Sequence, residues 1–201
     1  MAYVIENKKK DLEKVNAYLP LTIILKNGKE ANLILGSEEK DFIELHRILN
    51  EVIEEGISYP QENILNYNEF KAYYLSHEVF ILKYKESGEV IGSFYIKPNF
   101  PGRCDHFCNG GFIVDKNHRG LGAGKIMGFH YLRLANLLEY KSSFFNLVFS
   151  NNKPALNLWN KLGFQQLNTI PNVCRTKDGF VDGNQFFFDL SKVDFEEKLI
   201  I

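Results

Sequence analysis

The sequence predicts an α/β fold in which a mixed central sheet is flanked by helices. Short apolar runs with strand-like alternation are interleaved with longer stretches whose apolar residues recur at helical spacing. Hairpin-type turns separate neighbouring strand candidates at Asn27-Gly28 and at Glu86-Ser87-Gly88. With 201 residues, of which 45% are hydrophobic, the chain is long enough to bury one substantial core.

The first half of the chain contains two predicted hairpins and two predicted helices. The elements, in order, are strands over 22–26 and 29–35, helices over 37–55 and 68–76, and strands over 79–84 and 90–97. Ser37 is expected to cap the first helix, because its hydroxyl can accept a bond from an unpaired amide of the first turn. Gly56 is expected to end that helix.

The second half alternates strands and helices more regularly. It is predicted to contain an irregular loop over 98–107, a strand over 108–114, a glycine-rich turn over 119–124, a helix to about 138, a strand over 144–149, a short helix over 152–163, and two final strands around a loop over 171–183. In the short helix, Asn152 is expected to cap, Pro154 to occupy the first turn, and Gly163 to end it.

The glycine-rich turn RGLGAG, which runs from Arg119 to Gly124, carries the main indication of function. A turn of this kind that leads into a helix leaves backbone N–H groups unpaired at the positive end of the helix dipole. Such a site favours an anion, most often a phosphate or a pyrophosphate. Glycines allow the ligand to approach the backbone closely, and Arg119 can add a charge-assisted hydrogen bond.

Two common phosphate-binding motifs do not fit this turn. A P-loop requires Ser or Thr after its lysine, whereas Ile126 follows Lys125. The dinucleotide fingerprint requires a different spacing from that of Gly120, Gly122 and Gly124, which stand two residues apart. A glycine-rich turn with no ligand remains the alternative.

Two segments together resemble the Gcn5-related N-acetyltransferase (GNAT) superfamily. Arg119, Gly122 and Gly124 match its pyrophosphate loop Arg-x-x-Gly-x-Gly, and residues 152–164 (NKPALNLWNKLGF) resemble its pattern Asn-x-x-Ala-x-x-Leu-(Tyr)-x-x-Leu-Gly-Phe. An ordinary amphipathic helix would explain the apolar stripe of the second segment but not its order and distance after the turn. The resemblance implies a single-domain GNAT fold with a splay between two parallel strands, here 108–114 and 144–149.

From about residue 90 to residue 164 the chain is similar to one branch of this superfamily. The segments GSFYIKPN from Gly92, CNGGF from Cys108 and FNLVF from Phe145 resemble the fungal N-acetyltransferases that act on L-azetidine-2-carboxylate and related proline analogues. The resemblance implies acetyl-CoA-dependent acetylation of a small amino or imino acid of the azetidine-2-carboxylate, proline-analogue or pyrroline-5-carboxylate type. That reaction would limit toxicity or oxidative stress.

The same resemblance implies the site residues. Those expected to contact acetyl-CoA are Phe112, Ile113, Val114, Arg119, Gly120, Leu121, Gly122, Ala123, Gly124, Lys125 and Asn152. The Phe112 N–H is expected to polarise the thioester carbonyl, and Asn152 is the expected catalytic residue, which donates a hydrogen bond to the departing sulfur. A plain helix cap is the alternative for Asn152. The substrate carboxylate is expected at the Asn109 side chain and at the backbone amides of Asn146 and Leu147.

The sequence offers no obvious general acid or general base for acetyl transfer, and no metal site. Many superfamily members place a tyrosine acid where this chain has Trp159, whose indole N–H is not a practical acid, so Trp159 is expected to pack in the core. No acidic residue lies in the predicted pocket strands, so a dedicated general base is not apparent. Cys104 and Cys108 form one pair where structural zinc usually requires two, and we expect no metal.

Composition restricts the partners and the location. The formal net charge of −1 gives no electrostatic reason to expect nucleic acid. No apolar run approaches the length of a membrane span, no signal peptide is visible, and the 3 cysteines suit a reducing compartment. We therefore expect a cytoplasmic location, without excluding mitochondrial or nuclear pools, and a small-molecule substrate. The resemblance implies a homodimer, since related fungal enzymes are dimeric.

The predicted organisation is an N-terminal extension over 1–20, an N-acetyltransferase domain over 21–190 and a C-terminal tail over 191–201. Two other functions stay open: a protein or peptide N-acetyltransferase, and a catalytically silent acetyl-CoA-binding module. The predicted loops 98–107 and 171–183 favour a small substrate, because they are expected to close over it. The intact Asn109, Asn152 and glycine-rich turn argue against loss of activity.

Overall fold

One mixed sheet organises the fold. The computed structural model describes residues 5, 6, 8 and 10–200. Within them the elements are α1 (Glu13–Tyr18), β1 (Leu21–Ile24), β2 (Glu30–Leu35), α2 (Glu39–Glu55), α3 (Tyr67–Tyr74), β3 (Glu78–Tyr84), β4 (Val90–Pro98), β5 (Phe107–Val114), α4 (Ala123–Leu137), β6 (Ser142–Phe149), α5 (Lys153–Lys161), β7 (Gln165–Thr176) and β8 (Gly179–Asp189). The strand order is β1-β2-β3-β4-β5-β6-β8-β7, which confirms the predicted α/β class with a mixed sheet.

Neighbouring strands are antiparallel except at the centre of the sheet. There β5 and β6 run parallel, and they pair only at Phe107 with Ser142 and at Cys108 with Ser143. Beyond Cys108 the two strands no longer pair, while β5 remains bonded to β4 along its whole length. The predicted splay between parallel strands is therefore confirmed.

Helices cover both faces of the sheet. One core cluster joins α4 and α5 to residues such as Phe94 and Ile96 of β4, and the other joins α2 and α3 to Tyr95 on the opposite face. Every residue of β4 is buried, as expected for a central strand that is covered on both faces. α5 can approach α4 closely at Gly128, where a Cβ would lie 2.6 Å from Leu162 Cδ1.

The predicted helix starts are partly wrong. The first long helix begins at Glu39, with Glu38 in the cap position, and no side chain caps it, so Ser37 is not the cap. Its predicted end is correct, since Gly56 adopts the left-handed conformation at φ +68°. The next helix begins at Tyr67 because Asn66 and Glu69 form a reciprocal capping box, a pattern that the sequence contained and the prediction missed.

The predicted loop over 171–183 is wrong. Most of that segment belongs to β7 and β8, which pair as far as Thr176 with Gly179 around a turn at residues 177–178. Pro171 lies where the register shifts between Ile170 and Cys174, so its missing N–H costs no regular ladder bond. Turn-forming residues at a bulge resemble those of a loop, which explains the wrong prediction.

The two ends of the described chain pack against α4. Val15 of α1 is fully buried in the main core, and the Tyr18 hydroxyl lies 2.7 Å from His130 Nδ1. Near the other end, Arg133 Nη2 donates to the carbonyl oxygens of Asp194, Phe195 and Glu197. Residues 1–4, 7 and 9 of the predicted extension and residue 201 of the predicted tail lie outside the described residues. None of the described helices is long and apolar enough to cross a membrane.

Candidate active site

A cavity of about 520 Å³ lies between the glycine-rich turn, the end of β5, the start of α5 and the segment after α2. Its lining residues are Lys26, Val52, Glu55, Ile57, Ser58, Phe112, Ile113, Val114, His118, Arg119, Gly120, Gly122, Ala123, Gly124, Lys125, Asn152 and Pro154. The fold thus brings together the residues predicted to contact acetyl-CoA, with the exception of Leu121. The Leu121 carbonyl instead accepts the Lys26 N–H at 3.2 Å, so the first hairpin supports the turn.

The glycine-rich turn presents unpaired amides to this cavity. Gly120 and Gly122 have φ angles of +80° and +87°, which residues with a Cβ rarely adopt. Gly122 is the cap residue of α4, and no side chain caps that helix. Among the described residues, no protein acceptor bonds the backbone N–H groups of residues 120–125. These donors lie at the positive end of a 15-residue helix, the geometry of an anion site.

An ion pair between the buried Asp115 and the half-exposed Arg47 holds the segment that precedes the turn. Asp115 accepts the Asn117 N–H at 2.7 Å and is bonded by the Arg47 guanidinium of α2. Burial alone would raise the pKa of Asp115, but the bonds from Arg47 and Asn117 outweigh it and hold the pKa below its ordinary value. The carboxylate therefore stays charged and ties the end of β5 to α2.

Arg119 is engaged within the protein. Its Nη2 lies 2.7 and 2.9 Å from the two carboxylate oxygens of Glu55, at the end of α2. The pair is partly exposed, with side-chain exposures of 46% for Arg119 and 29% for Glu55, so solvent screens it. An anion bound at the turn would compete with Glu55 for this guanidinium.

Asn152 uses both ends of its side-chain amide. Its Oδ1 accepts the Ala155 N–H at 3.1 Å and so caps α5, as the sequence predicted. Its Nδ2 donates to Ser58 Oγ at 3.0 Å across the cavity. The cap fixes the orientation of the donor. Ser58 was missed because it lies in an irregular segment where no periodicity or motif marks it.

The backbone of Phe112 faces the splay. Phe107 C=O accepts the Asn99 N–H, and Asp115 N–H donates to Ile91 C=O, so the odd-numbered backbone groups of β5 face β4. By alternation the N–H of Phe112 faces β6, beyond the last paired residue. The Phe112 carbonyl accepts the Tyr59 hydroxyl at 3.3 Å.

An aromatic cluster lies behind this strand. The ring of Phe112 stands 4.8 Å from Trp159 and 6.1 Å from Phe145, between their centroids. Trp159 is only 5% exposed and also packs against Phe164. The expectation that Trp159 packs in the core is confirmed.

The residues predicted to bind the substrate carboxylate lie outside the lining of this cavity. Asn109 lies on β5 directly opposite Lys97 of β4, and the ladder between β6 and β8 skips Asn146 and Leu147. The Asn146 amide exchanges two hydrogen bonds with Asn99, at 2.9 and 2.6 Å. Its side chain is therefore occupied, which leaves its backbone for any ligand. The prediction missed Asn99 although the segment GSFYIKPN contains it.

Among the described residues, no group of three or more His, Cys, Asp or Glu side chains could hold a metal ion. Cys104 is exposed and Cys108 is buried, with its sulfur 3.5 Å from the Tyr131 hydroxyl. The two thiols therefore lie in different environments.

Comparison with known proteins assigns a family. A family model described as acetyltransferase (GNAT) family matches residues 43–164, more than half of the chain. N-acetyltransferase aca1 of Schizosaccharomyces pombe is 46% identical over 95 residues, which cover 46% of each chain. Protein SPT10 of Saccharomyces cerevisiae is 29% identical over 112 residues, which cover 53% of this chain and 18% of that protein. The match therefore spans less than half the length of these relatives.

Solved structures share the fold at low identity. A GCN5-related N-acetyltransferase from Kribbella flavida has a TM-score of 0.73 at 22% identity, covering 78% of this chain and 97% of that one. The protein yncA from Salmonella typhimurium, solved with its cofactor acetyl-CoA, has a TM-score of 0.73 at 16% identity, covering 82% of this chain and 98% of that one. At these identities the likeness establishes the architecture alone.

We predict that Asp115→Asn lowers the free energy of unfolding by about 1–2 kcal/mol at pH 7, because a hydrogen-bonded charge pair is lost from a partly screened site. The pKa of Asp115 is depressed in the folded protein, so its contribution is present above the unfolded value of 3.8 and is lost as the pH falls through the folded value. Urea titrations across this range should show the difference shrinking with acid.

The matched control is Asp178→Asn, in the exposed turn between β7 and β8, which should change stability little at any pH. Equal stability of wild type and Asp115→Asn at neutral pH would contradict the conclusion that the Asp115 carboxylate ties the end of β5 to α2.

Proposed function

Since the chain belongs to the acetyltransferase (GNAT) family, we propose that it is an acetyl-CoA-dependent N-acetyltransferase whose acceptor is a small amino or imino acid. The observation that carries this proposal is the row of unpaired backbone amides over residues 120–125, which opens on the cavity lined by Phe112 and Asn152. The acceptors that we favour are azetidine-2-carboxylate, proline analogues and pyrroline-5-carboxylate.

The turn suits the diphosphate of coenzyme A. Several N–H groups at the start of α4 can bond its oxygens, and the helix dipole favours its charge. Arg119 and Lys125 add positive charge, once Arg119 exchanges Glu55 for the ligand. Lys125 Nζ is at present bonded to the Ile200 carbonyl, which a diphosphate could replace.

The splay suits the thioester. Acetyl-CoA, when bound, supplies an acetyl group on sulfur, and the amine nitrogen of the acceptor attacks the carbonyl carbon as the carbon–sulfur bond breaks. The Phe112 N–H stabilises the negative charge on the carbonyl oxygen, as an oxyanion hole does. Asn152 Nδ2 donates to the sulfur as thiolate character develops, and solvent takes the proton of the amine.

The acceptor site follows from resemblance and from position. Asn109 and the backbone of Asn146 and Leu147 lie beside the splay, on the two strands that diverge. The 46% identity to N-acetyltransferase aca1 of Schizosaccharomyces pombe supports N-acetyl transfer, while the choice of acceptor rests on the resemblance of the three segments named above. Residues 171–183 form strands, so no loop there is available to close over the substrate. The proposal of a small acceptor therefore depends on Asn109, Asn146 and Leu147.

The proposal is tested by thiol release from acetyl-CoA across a panel of acceptors. The panel contains azetidine-2-carboxylate, hydroxyproline, ordinary amino acids, polyamines and a histone-tail peptide. We expect the highest kcat/KM with the cyclic imino acids. Transfer to the peptide alone would favour a protein acetyltransferase, and binding of acetyl-CoA without any transfer would favour a silent binding module.

We predict that Asn152→Ala lowers kcat by roughly tenfold to a thousandfold, the range found when one donor to developing charge is removed. The dissociation constant of acetyl-CoA should change less, because the amides of residues 120–125 stay in place. Steady-state kinetics and calorimetry measure the two effects separately.

Asn152→Asp serves as the control for the helix cap. The carboxylate keeps an acceptor for the Ala155 N–H but has no donor, so stability should be retained while turnover stays as low as in the alanine variant. Wild-type turnover in either variant would refute the role at sulfur.

We predict that Glu55→Gln tightens binding of coenzyme A about two- to fivefold, because it frees Arg119 and removes a negative charge from the cavity. The gain should fall as salt rises. Calorimetry on this variant and on Glu54→Gln, the exposed neighbour, checks it. Weaker binding would instead mean that Glu55 holds Arg119 in its ligand-binding position.

We predict that Asn109→Ala raises the KM for the amino or imino acid roughly tenfold, because a hydrogen bond to a charged carboxylate is lost. The kcat and the affinity for acetyl-CoA should change little. The exposed Asn68→Ala variant is the matched control. An unchanged KM would move the carboxylate site elsewhere.

A further inference from the structure

Lys97 is a buried cation in the middle of the sheet. It lies on β4 and is only 6% exposed. Its Nζ lies 4.5 Å from the ring centre of Tyr73 and 4.4 Å from that of Tyr95. The two aromatic rings stabilise a positive charge through their π-faces, so the pocket is suited to an ammonium group.

This cation has no anionic partner within the described part of the chain. Its Nζ donates to the Tyr73 carbonyl at 3.4 Å, and among the described residues no ion pair joins it to a carboxylate. An ammonium carries three donors, so two remain for a ligand. A buried charge without a partner is costly, and a protein that retains one in a binding region gains when an anion arrives.

The local electrostatics favour an anion. Burial lowers the pKa of Lys97 to about 8, so the ammonium form still predominates at neutral pH. The neighbouring His77 has a pKa lowered first by burial and then by the charge of Lys97. An incoming carboxylate would restore the charge balance of this region.

Lys97 lies next to the proposed acceptor site. The β4–β5 register pairs it directly with Asn109, so both side chains project from the same face of the sheet. Two residues after Lys97, just beyond the end of β4, Asn99 is bonded to Asn146 of β6. Tyr95, two residues before Lys97, projects from the same face, and its ring lies over its β5 partner Gly111, where a Cβ would be 2.5 Å from the ring.

We propose that Lys97 binds the carboxylate of the acceptor as its counter-ion, together with Asn109, and thereby selects amino and imino acids over amines that lack an acidic group. This inference rests on the function proposed above and deepens it. Asn109 supplies a neutral hydrogen bond, and Asn99 holds Asn146 so that its backbone stays in position. The ring contacts and the two unused donors fit a charged Lys97 rather than a neutral one that would take the proton of the amine.

The test compares Lys97→Met, Lys97→Arg and the exposed control Lys192→Met, with azetidine-2-carboxylate and with its primary amide as acceptors. Lys97→Met should raise the KM for the carboxylate roughly ten- to a hundredfold, the scale of a lost hydrogen bond to a charged group. It should change the KM for the amide less than about threefold on the same scale. Lys97→Arg should recover part of the loss, and Lys192→Met should behave as wild type.

Thermal unfolding and acetyl-CoA binding check that the variants fold. Lys97→Met should be at least as stable as wild type, because it removes an unpaired buried charge. Should that variant not fold, the wild type alone decides: its kcat/KM for the carboxylate should exceed that for the amide by at least about tenfold, and equal values would overturn the proposal.

The outcomes separate two failures. An unchanged KM for azetidine-2-carboxylate in Lys97→Met, or an equal loss of kcat with both acceptors, would overturn the role of Lys97 alone. Transfer by the wild type to a peptide amine and to no amino or imino acid would overturn the proposed function and the role of Lys97 with it.

Discussion

The point at which β5 and β6 stop pairing is the constraint on which the rest of the site depends. Backbone groups in a buried sheet normally find partners, and an unpaired N–H costs free energy unless something else bonds it. Here the ladder ends after Cys108, and the groups that follow face a gap. The aromatic cluster of Phe112, Phe145 and Trp159 fills the space behind the gap, so the strands cannot close by collapsing onto each other.

The charged groups of the site divide between two regions. At the start of α4 the attraction for an anion comes from backbone dipoles. Arg119 can add to it only after its bond to Glu55 is broken. On the other face of the sheet it comes from one buried ammonium, that of Lys97, and from asparagine amides. Dipoles suit a large, diffuse diphosphate, whereas a single cation suits a small carboxylate. Under the proposed function, each region is therefore matched to an anion of a different size.

The sequence was sufficient for the features that periodicity and turn chemistry encode. Both hairpins and the glycine-rich turn were predicted from neighbouring residues, whereas the parallel pair came from the family resemblance, since it joins residues 107–108 to residues 142–143. The prediction for residues 171–183 was wrong because Pro171 and its neighbours favour a loop in isolation. Pairing between β7 and β8 overrides that local preference. The roles of three residues depend on partners that are distant in sequence. These pairs are Lys97 with Tyr73, Asn99 with Asn146 and Ser58 with Asn152, which are 24, 47 and 94 residues apart. No local pattern could identify such partners, although the resemblance supplied Asn152.

The bulge at Pro171 has a further consequence for solubility. β7 is the last strand of the sheet, and its 12 residues are mostly exposed, so its outer rim could template the addition of a foreign strand. A proline offers no donor to such a strand, and the two register shifts along β7 bend the rim out of the straight line that a growing fibril requires. The proline that favours a loop in the secondary-structure prediction thus makes this edge a poorer template for a foreign strand.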